Sequence, residues 1–194
     1  MNYRQWWMTL SPAWQMAFNE VVLQRGGTTD LPPDESLELI HSLNIMRFAG
    51  PTAFFPNMRF ELSDLSGLSA LKNLEILVVI NHQVKSLKDI GGLTNLKSLF
   101  VNNNQIETLD GIEQLAGNLQ EFYFNVNQVQ SLLPLQNFEK LHTLYCNLNQ
   151  IKSLEGIGEQ HALLEKFYCI PNEGLSQREI LRFEREVGIR CLKG

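Results

Sequence analysis

Four histidines, three cysteines and an asparagine phrase spelled three times are the residues of this chain whose types could do chemistry. His41, His82, His142 and His161 are scattered, and none has a second histidine or a carboxylate at the spacing of a metal site. Cys146, Cys169 and Cys191 form an odd, sparse set, a poor disulfide framework that favours a reducing compartment. The chain contains no G-x-S-x-G turn, no phosphate-binding glycine loop and no dinucleotide fingerprint. These readings point away from an enzyme and toward a chain that works without a cofactor or metal.

The asparagines are the more informative group. "FVNNNQI" begins at Phe100, "FNVNQV" at Phe124 and "CNLNQI" at Cys146. A catalytic motif normally occurs once, whereas a phrase recurring at an even interval marks a structural unit. Leu74, Leu96, Leu119, Leu141 and Leu164 each open a segment of the form apolar-x-x-apolar-x-apolar, with steps of 22, 23, 22 and 23 residues. Between the segments apolar residues recur every third position, as at Leu87, Ile90 and Leu93. A period in the twenties predicts a solenoid of small stacked units.

On these residues the chain resembles the leucine-rich repeat proteins of the short, 22-residue subclass, whose pattern is L-x-x-L-x-L-x-x-N-x-I. The resemblance covers residues 43–174 with five registered copies. His82 stands where the first full copy should carry its asparagine, and Phe48 marks a partial earlier copy followed by a longer loop. The resemblance implies an α/β solenoid: a right-handed superhelix with a parallel sheet on its concave side, 3₁₀ turns and loops on its convex side, and helical caps. It also implies a protein-binding role, and in some relatives of this subclass the regulation of an enzyme such as a phosphatase.

Within "LKSLFVNNN", Leu99 and Val101 alternate with Ser98, Phe100 and Asn102, the period of a strand with one face in and one out. The second asparagine of each phrase (Asn104, Asn127, Asn149, and Asn172 further on) falls where the strand bends away. A carboxamide carries both donor and acceptor, so one per coil is expected to satisfy the backbone there as a structural ladder. The first asparagine differs: Asn102, Asn125 and Asn147 are expected on the outward face, accessible to a partner. The middle outward positions read Val78, Phe100, Tyr123, Tyr145 and Tyr168, predicting a line of rings along the concave face. Tyrosine and phenylalanine bordered by asparagine have the composition of an interface core. Phe100, Tyr123, Tyr145, Tyr168, Asn102, Asn125 and Asn147, flanked by Glu121 and Lys166, are therefore the expected partner-binding residues. The alternative is a scaffold or self-associating subunit that uses its caps or convex side.

Repeats expose their core at both ends unless capped. Residues 1–42 are expected to form an N-terminal helical cap, with Ser11 as N-cap and Pro12 at the first position of a helix reaching Gly26 or Gly27. A second short helix is expected from Asp34 to Ser42, and Trp6, Trp7 and Trp14 would cover the first coil. Residues 175–194 are expected to form the other cap, with Ser176 and Glu179 as a capping box, Ile180, Phe183 and Val187 as the packed stripe, and Gly188 as the stop. Net charge is −5, against nucleic-acid or anionic-membrane binding. No stretch nears the roughly 18 apolar residues of a membrane span, and the N-terminus lacks the pattern of a secretory signal. The expectation is a cytoplasmic protein, monomeric or weakly self-associating, with a protein or peptide partner.

Overall fold

The computed structural model describes residues 2–194. Seven strands form one sheet in strict chain order, every neighbouring pair parallel. They are β1 (Ile45–Ala49), β2 (Ile76–Ile80), β3 (Ser98–Phe100), β4 (Glu121–Tyr123), β5 (Thr143–Tyr145), β6 (Lys166–Ile170) and β7 (Leu192–Lys193). Register is kept from coil to coil: Leu77 faces Leu99, Phe122 faces Leu144, and Tyr145 faces Tyr168. The spacing of the opening leucines is therefore the spacing of the strands.

The period-two alternation puts Leu77, Val79, Leu99, Val101, Phe122, Phe124, Leu144, Cys146, Phe167 and Cys169 in the interior, all fully buried. Opposite the sheet the chain returns through short 3₁₀ turns at Ser66–Leu68, Lys88–Ile90, Glu113–Gly117 and Leu133–Leu135. Side chains three apart lie on one face of such a turn, so Leu87, Ile90 and Leu93 close the core from below. Cys146, Cys169 and Cys191 are free thiols, and burial pushes that of Cys146 well above its ordinary range.

The N-terminal cap holds more helix than the spacing predicted. An added helix, α1 (Tyr3–Thr9), precedes the expected one. Its N-cap Asn2 accepts from Gln5 N, and it buries Trp6 and Trp7. The next helix, α2 (Pro12–Ala17), starts at the Ser11 cap, then widens into a π-helical stretch over Phe18–Val22 and ends by Leu23, short of Gly26. The wider turn brings Asn19 inside, where its carboxamide donates to the carbonyls of Thr28 and Asp30 and so ties down the loop that follows. Helix α3 (Asp34–Ser42) lies where expected. Trp14 is fully buried, edge-on to Phe48 and flat over Gly67, where a methyl group would lie 2.3 Å from the indole. Its Nε1–H donates to Asp64 at 3.0 Å. Burial raises the Asp64 pKa, but hydrogen bonds from Ser66, Trp14 and Ser63 outweigh it and hold the carboxyl below its usual range.

At the other end, α4 (Gln177–Val187) runs from Ser176, whose hydroxyl accepts from Glu179 N, to Gly188 in the left-handed conformation. The Glu179 carboxylate pairs with Arg182 rather than reaching back to Ser176, so only half of the capping box forms. Phe183 covers Phe167 with ring centres 5.8 Å apart.

Candidate functional site: the concave aromatic face

The outward positions of β3 to β6 bring Phe100, Tyr123, Tyr145 and Tyr168 into one row. Their rings stack face to face, with centres 4.6, 4.5 and 4.0 Å apart and planes within 24°, 13° and 17° of parallel. Backbones of neighbouring strands are spaced by about 4.8 Å. The ring centres lie closer than that, so the outward side chains converge and this side of the sheet is concave. All four rings are half-buried. Arg47 and Val78 extend the row toward the N-terminus.

Stacking has an electrostatic consequence. Burial, a hydrogen bond with Tyr168 and the neighbouring phenols together push the Tyr145 hydroxyl up to about 12, and burial raises Tyr123 as well. Tyr123 and Tyr145 are thus neutral at physiological pH. The row presents ring edges and hydroxyls outward, because the ring faces between Phe100 and Tyr168 cover one another. On one flank, Ser98 and Thr143 are buried, and Ser98 donates to the Glu121 carboxylate at 2.7 Å. Lys166 is exposed.

On the other flank the three asparagines do not share one environment. Asn102 and Asn125 are partly exposed, and neither carboxamide has a hydrogen-bond partner among the described residues. Asn147 departs from the expectation of accessibility: it is 3% exposed. The chain returning after β7 lies on it, so close that a methyl group on Gly194 would sit 2.7 Å from Asn147 Oδ1. That oxygen is buried without a partner. Asn147 is therefore covered by this chain itself, through a contact between segments 47 residues apart that no local pattern encodes.

The second asparagines make a regular ladder. Asn104 Oδ1 accepts from Val84 N, Asn127 Oδ1 from Ile106 N, Asn149 Oδ1 from Val129 N, and Asn172 Oδ1 from Ile151 N. Each Nδ2 donates to the carbonyl three residues earlier and to the matching carbonyl of the preceding coil; Asn127, for instance, bonds Phe124 O at 2.9 Å and Val101 O at 3.0 Å. One residue earlier the backbone turns left-handed in four successive coils, with φ +59° at Asn81, +54° at Asn103, +58° at Val126 and +55° at Leu148, and Pro171 breaks the series in the fifth. Asparagine tolerates that conformation, whereas a β-branched valine is strained in it. Val126 and Leu148 are nevertheless exposed, 37% and 50%.

His82 performs half of the ladder's work. Its Nδ1 accepts from Leu62 N at 3.1 Å, as the asparagine oxygens do, but its Nε2 is buried without a partner. Burial lowers its pKa from 6.5 to about 4, against weaker opposing pulls from the Phe48 backbone and Glu61. Folding thus favours neutral imidazole, so stability is full above pH 6.5 and falls as the pH drops from there through about 4. His82→Asn is expected to raise the melting temperature at neutral pH, because the carboxamide keeps the acceptor and removes the buried Nε2–H that finds no partner, bringing two N–H donors to the ladder carbonyls instead. It is also expected to widen its advantage over the natural chain between pH 6.5 and 4, read as melting temperature against pH. A variant no more stable than the natural chain at pH 5 would show that the imidazole is not the weak rung.

Seven parallel strands in register, an asparagine ladder and 3₁₀ returns define a leucine-rich repeat solenoid. No protein-family model and no curated protein matches the chain. Solved structures match in fold: an internalin of Listeria monocytogenes at TM-score 0.69 and 21% identity, over 91% of this chain and 47% of that one. The functional domain of InlJ from Listeria monocytogenes, described as including a cysteine ladder, matches at TM-score 0.67 and 18% identity, over 90% of this chain and 34% of that one. A leucine-rich repeat protein of Leptospira interrogans matches at TM-score 0.52 and 22% identity, over 71% of this chain and 38% of that one. The chain spans less than half the length of each of these. Among the described residues, no group of three or more histidine, cysteine, aspartate or glutamate side chains could hold a metal ion, and no helix is long and apolar enough to cross a membrane.

Proposed function

We propose that the chain is a non-catalytic module that binds a protein or peptide partner on its concave face. The stacked row of Phe100, Tyr123, Tyr145 and Tyr168 carries this reading. It is a continuous aromatic strip on a rigid sheet, half-exposed, and not required to fill the core. Rings held in place by their neighbours lose little freedom on binding, which reduces the ordering cost of association. Aromatic side chains at the centre of a patch are the usual anchors of protein interfaces. Asn102 and Asn125, with free carboxamides beside the strip, orient the partner's polar groups.

The test is affinity capture from the native lysate with the natural chain and with Tyr123→Ala/Tyr145→Ala, compared by quantitative mass spectrometry. The double variant is expected to lose captured partner by about ten-fold or more. Its melting temperature should shift only slightly, since the residues are outward-facing. Undiminished capture by a folded double variant would remove the concave face from the binding surface.

A further inference from the structure

Three free thiols gather at the C-terminal end of the solenoid. Cys146, just after β5, and Cys169, on β6, are fully buried. Cys191, just ahead of β7, is half-buried and packs on the same core. Cys169 shares a hydrogen bond with Cys191, which together with burial pushes its thiol far above the ordinary range. The two inner cysteines are thus held as thiols away from solvent, and the half-buried Cys191 is where an oxidant arrives.

Strands β6 and β7 are neighbours, with Tyr168 opposite Leu192 and Ile170 opposite Lys193, and the pairing slips at Cys169. Neighbouring strands lie about 4.8 Å apart, and a disulfide bridges α-carbons about 4.4–6.8 Å apart. The two thiols already meet across this step, so joining them asks for little movement of either strand.

The segment that carries Cys191 is lightly held. Strand β7 has two residues. Around it, Cys191 N donates to the Glu184 carboxylate at 2.8 Å and Gly194 N to Ile170 O at 2.9 Å. Its closed position also has a cost, because Gly194 lies over Asn147 and leaves Asn147 Oδ1 buried without a partner. Short, sparsely bonded segments belong to the low-stability end of a fold. Opening would return water to Asn147 and bare the outer edge of β6, a row of unpaired backbone groups able to take another strand.

We propose that Cys191 is a site of oxidation by peroxide, and that the disulfide it then forms with Cys169 latches β7 onto β6. Peroxide first converts the Cys191 thiolate to a sulfenic acid. The O–O bond breaks, one oxygen joins sulfur, and the other leaves as hydroxide, which takes up the proton the thiol had released. The Cys169 sulfur then displaces the sulfenic oxygen. The S–O bond breaks as the S–S bond forms, and the Cys169 proton leaves with that oxygen as water. Two thiols and one peroxide give one disulfide and two waters. Oxidised, the chain holds its end shut over Asn147; reduced, it releases it. The latch is independent of the concave-face reading, and its test uses no partner.

The full chain is reduced, treated with one equivalent of hydrogen peroxide, alkylated and mapped by peptide mass spectrometry without reductant. A peptide carrying Cys169 joined to one carrying Cys191 is expected, from monomeric protein. The link should persist in Cys146→Ala and vanish in Cys191→Ser, a change at a half-buried position that leaves the inner core intact. Amide hydrogen exchange at residues 192–194 should be at least about ten-fold slower in the oxidised chain than in the reduced one, with β2 and β3 unchanged. Absence of the Cys169–Cys191 peptide, its appearance only between two chains, or equal exchange of the C-terminal segment in both forms would each overturn the proposal.

Discussion

Asn127→Ala is expected to unfold this protein far more readily than any substitution on its outer faces. The side chain accepts from Ile106 N at 2.9 Å and donates to Val101 O at 3.0 Å and Phe124 O at 2.9 Å, tying the bend of its own coil to the coil before it. Alanine leaves Ile106 N buried and unpaired, at about 1–3 kcal/mol before relaxation, and removes one of two donors each from Val101 O and Phe124 O, which keep those of Asn104 and Asn149. A net loss on the order of 2–4 kcal/mol follows, which in a chain of this size lowers the melting temperature by roughly 10 °C. Asn127→Asp should not rescue it, because the carboxylate keeps the acceptor, loses both donors and adds a buried charge. The comparison that isolates the effect is Asn125→Ala, two residues away on the outward face, where a change within about 0.5 kcal/mol is expected. If chemical denaturation gave the two variants equal stability, the ladder would not be what fixes the coils to one another.

Trp14→Ala is the second large effect, and its signature is spatial. The indole is fully buried, lies flat on Gly67, meets Phe48 at an interplanar angle of 83° and donates to Asp64. Replacing a buried tryptophan with alanine costs about 3–5 kcal/mol. In a solenoid each coil is stabilised by its neighbours, so damage to a cap propagates inward from that end. Hydrogen exchange is therefore expected to quicken most in β1 and β2, less in β3, and little in β5 and β6. Uniform acceleration across the sheet would mean that the caps and coils unfold as one unit. Gly67→Ala should reproduce the pattern, because its methyl group enters the space of the same ring.

The rows of this molecule were legible because each coil repeats the same problem. Leu99, Phe122, Leu144 and Phe167 face inward and Phe100, Tyr123, Tyr145 and Tyr168 outward for the same local reason, and strand alternation reveals it. What was not legible depends on contacts without a repeat. Helix α1 has seven residues and no acidic residue in its first turn, so its capping asparagine is a faint signal beside the two buried tryptophans. The π-helical turn at Phe18–Val22 exists because Asn19 must reach the carbonyls of Thr28 and Asp30, in a loop with no pattern of its own. Asn147 is the instructive case. It occupies the same place in its phrase as Asn125, yet Gly194 lies over it and not over its twin. The repeat predicts what all coils share and is silent about the coil that meets an end.

The loop after β1 has its own logic. The carboxamide of Asn57 accepts from Ala49 N and donates to Arg47 O, both at 2.7 Å, and the amides of Asn57 and Met58 donate to Ala49 O. These three backbone groups of Arg47 and Ala49 are the ones β1 turns away from β2, and an open row of that kind invites another chain to add a strand. With them occupied, the N-terminal flank of the sheet offers no template at those positions. Concentrated solutions of this protein should not thread end to end through β1, and a duplicated coil would be tolerated between existing coils rather than ahead of the first.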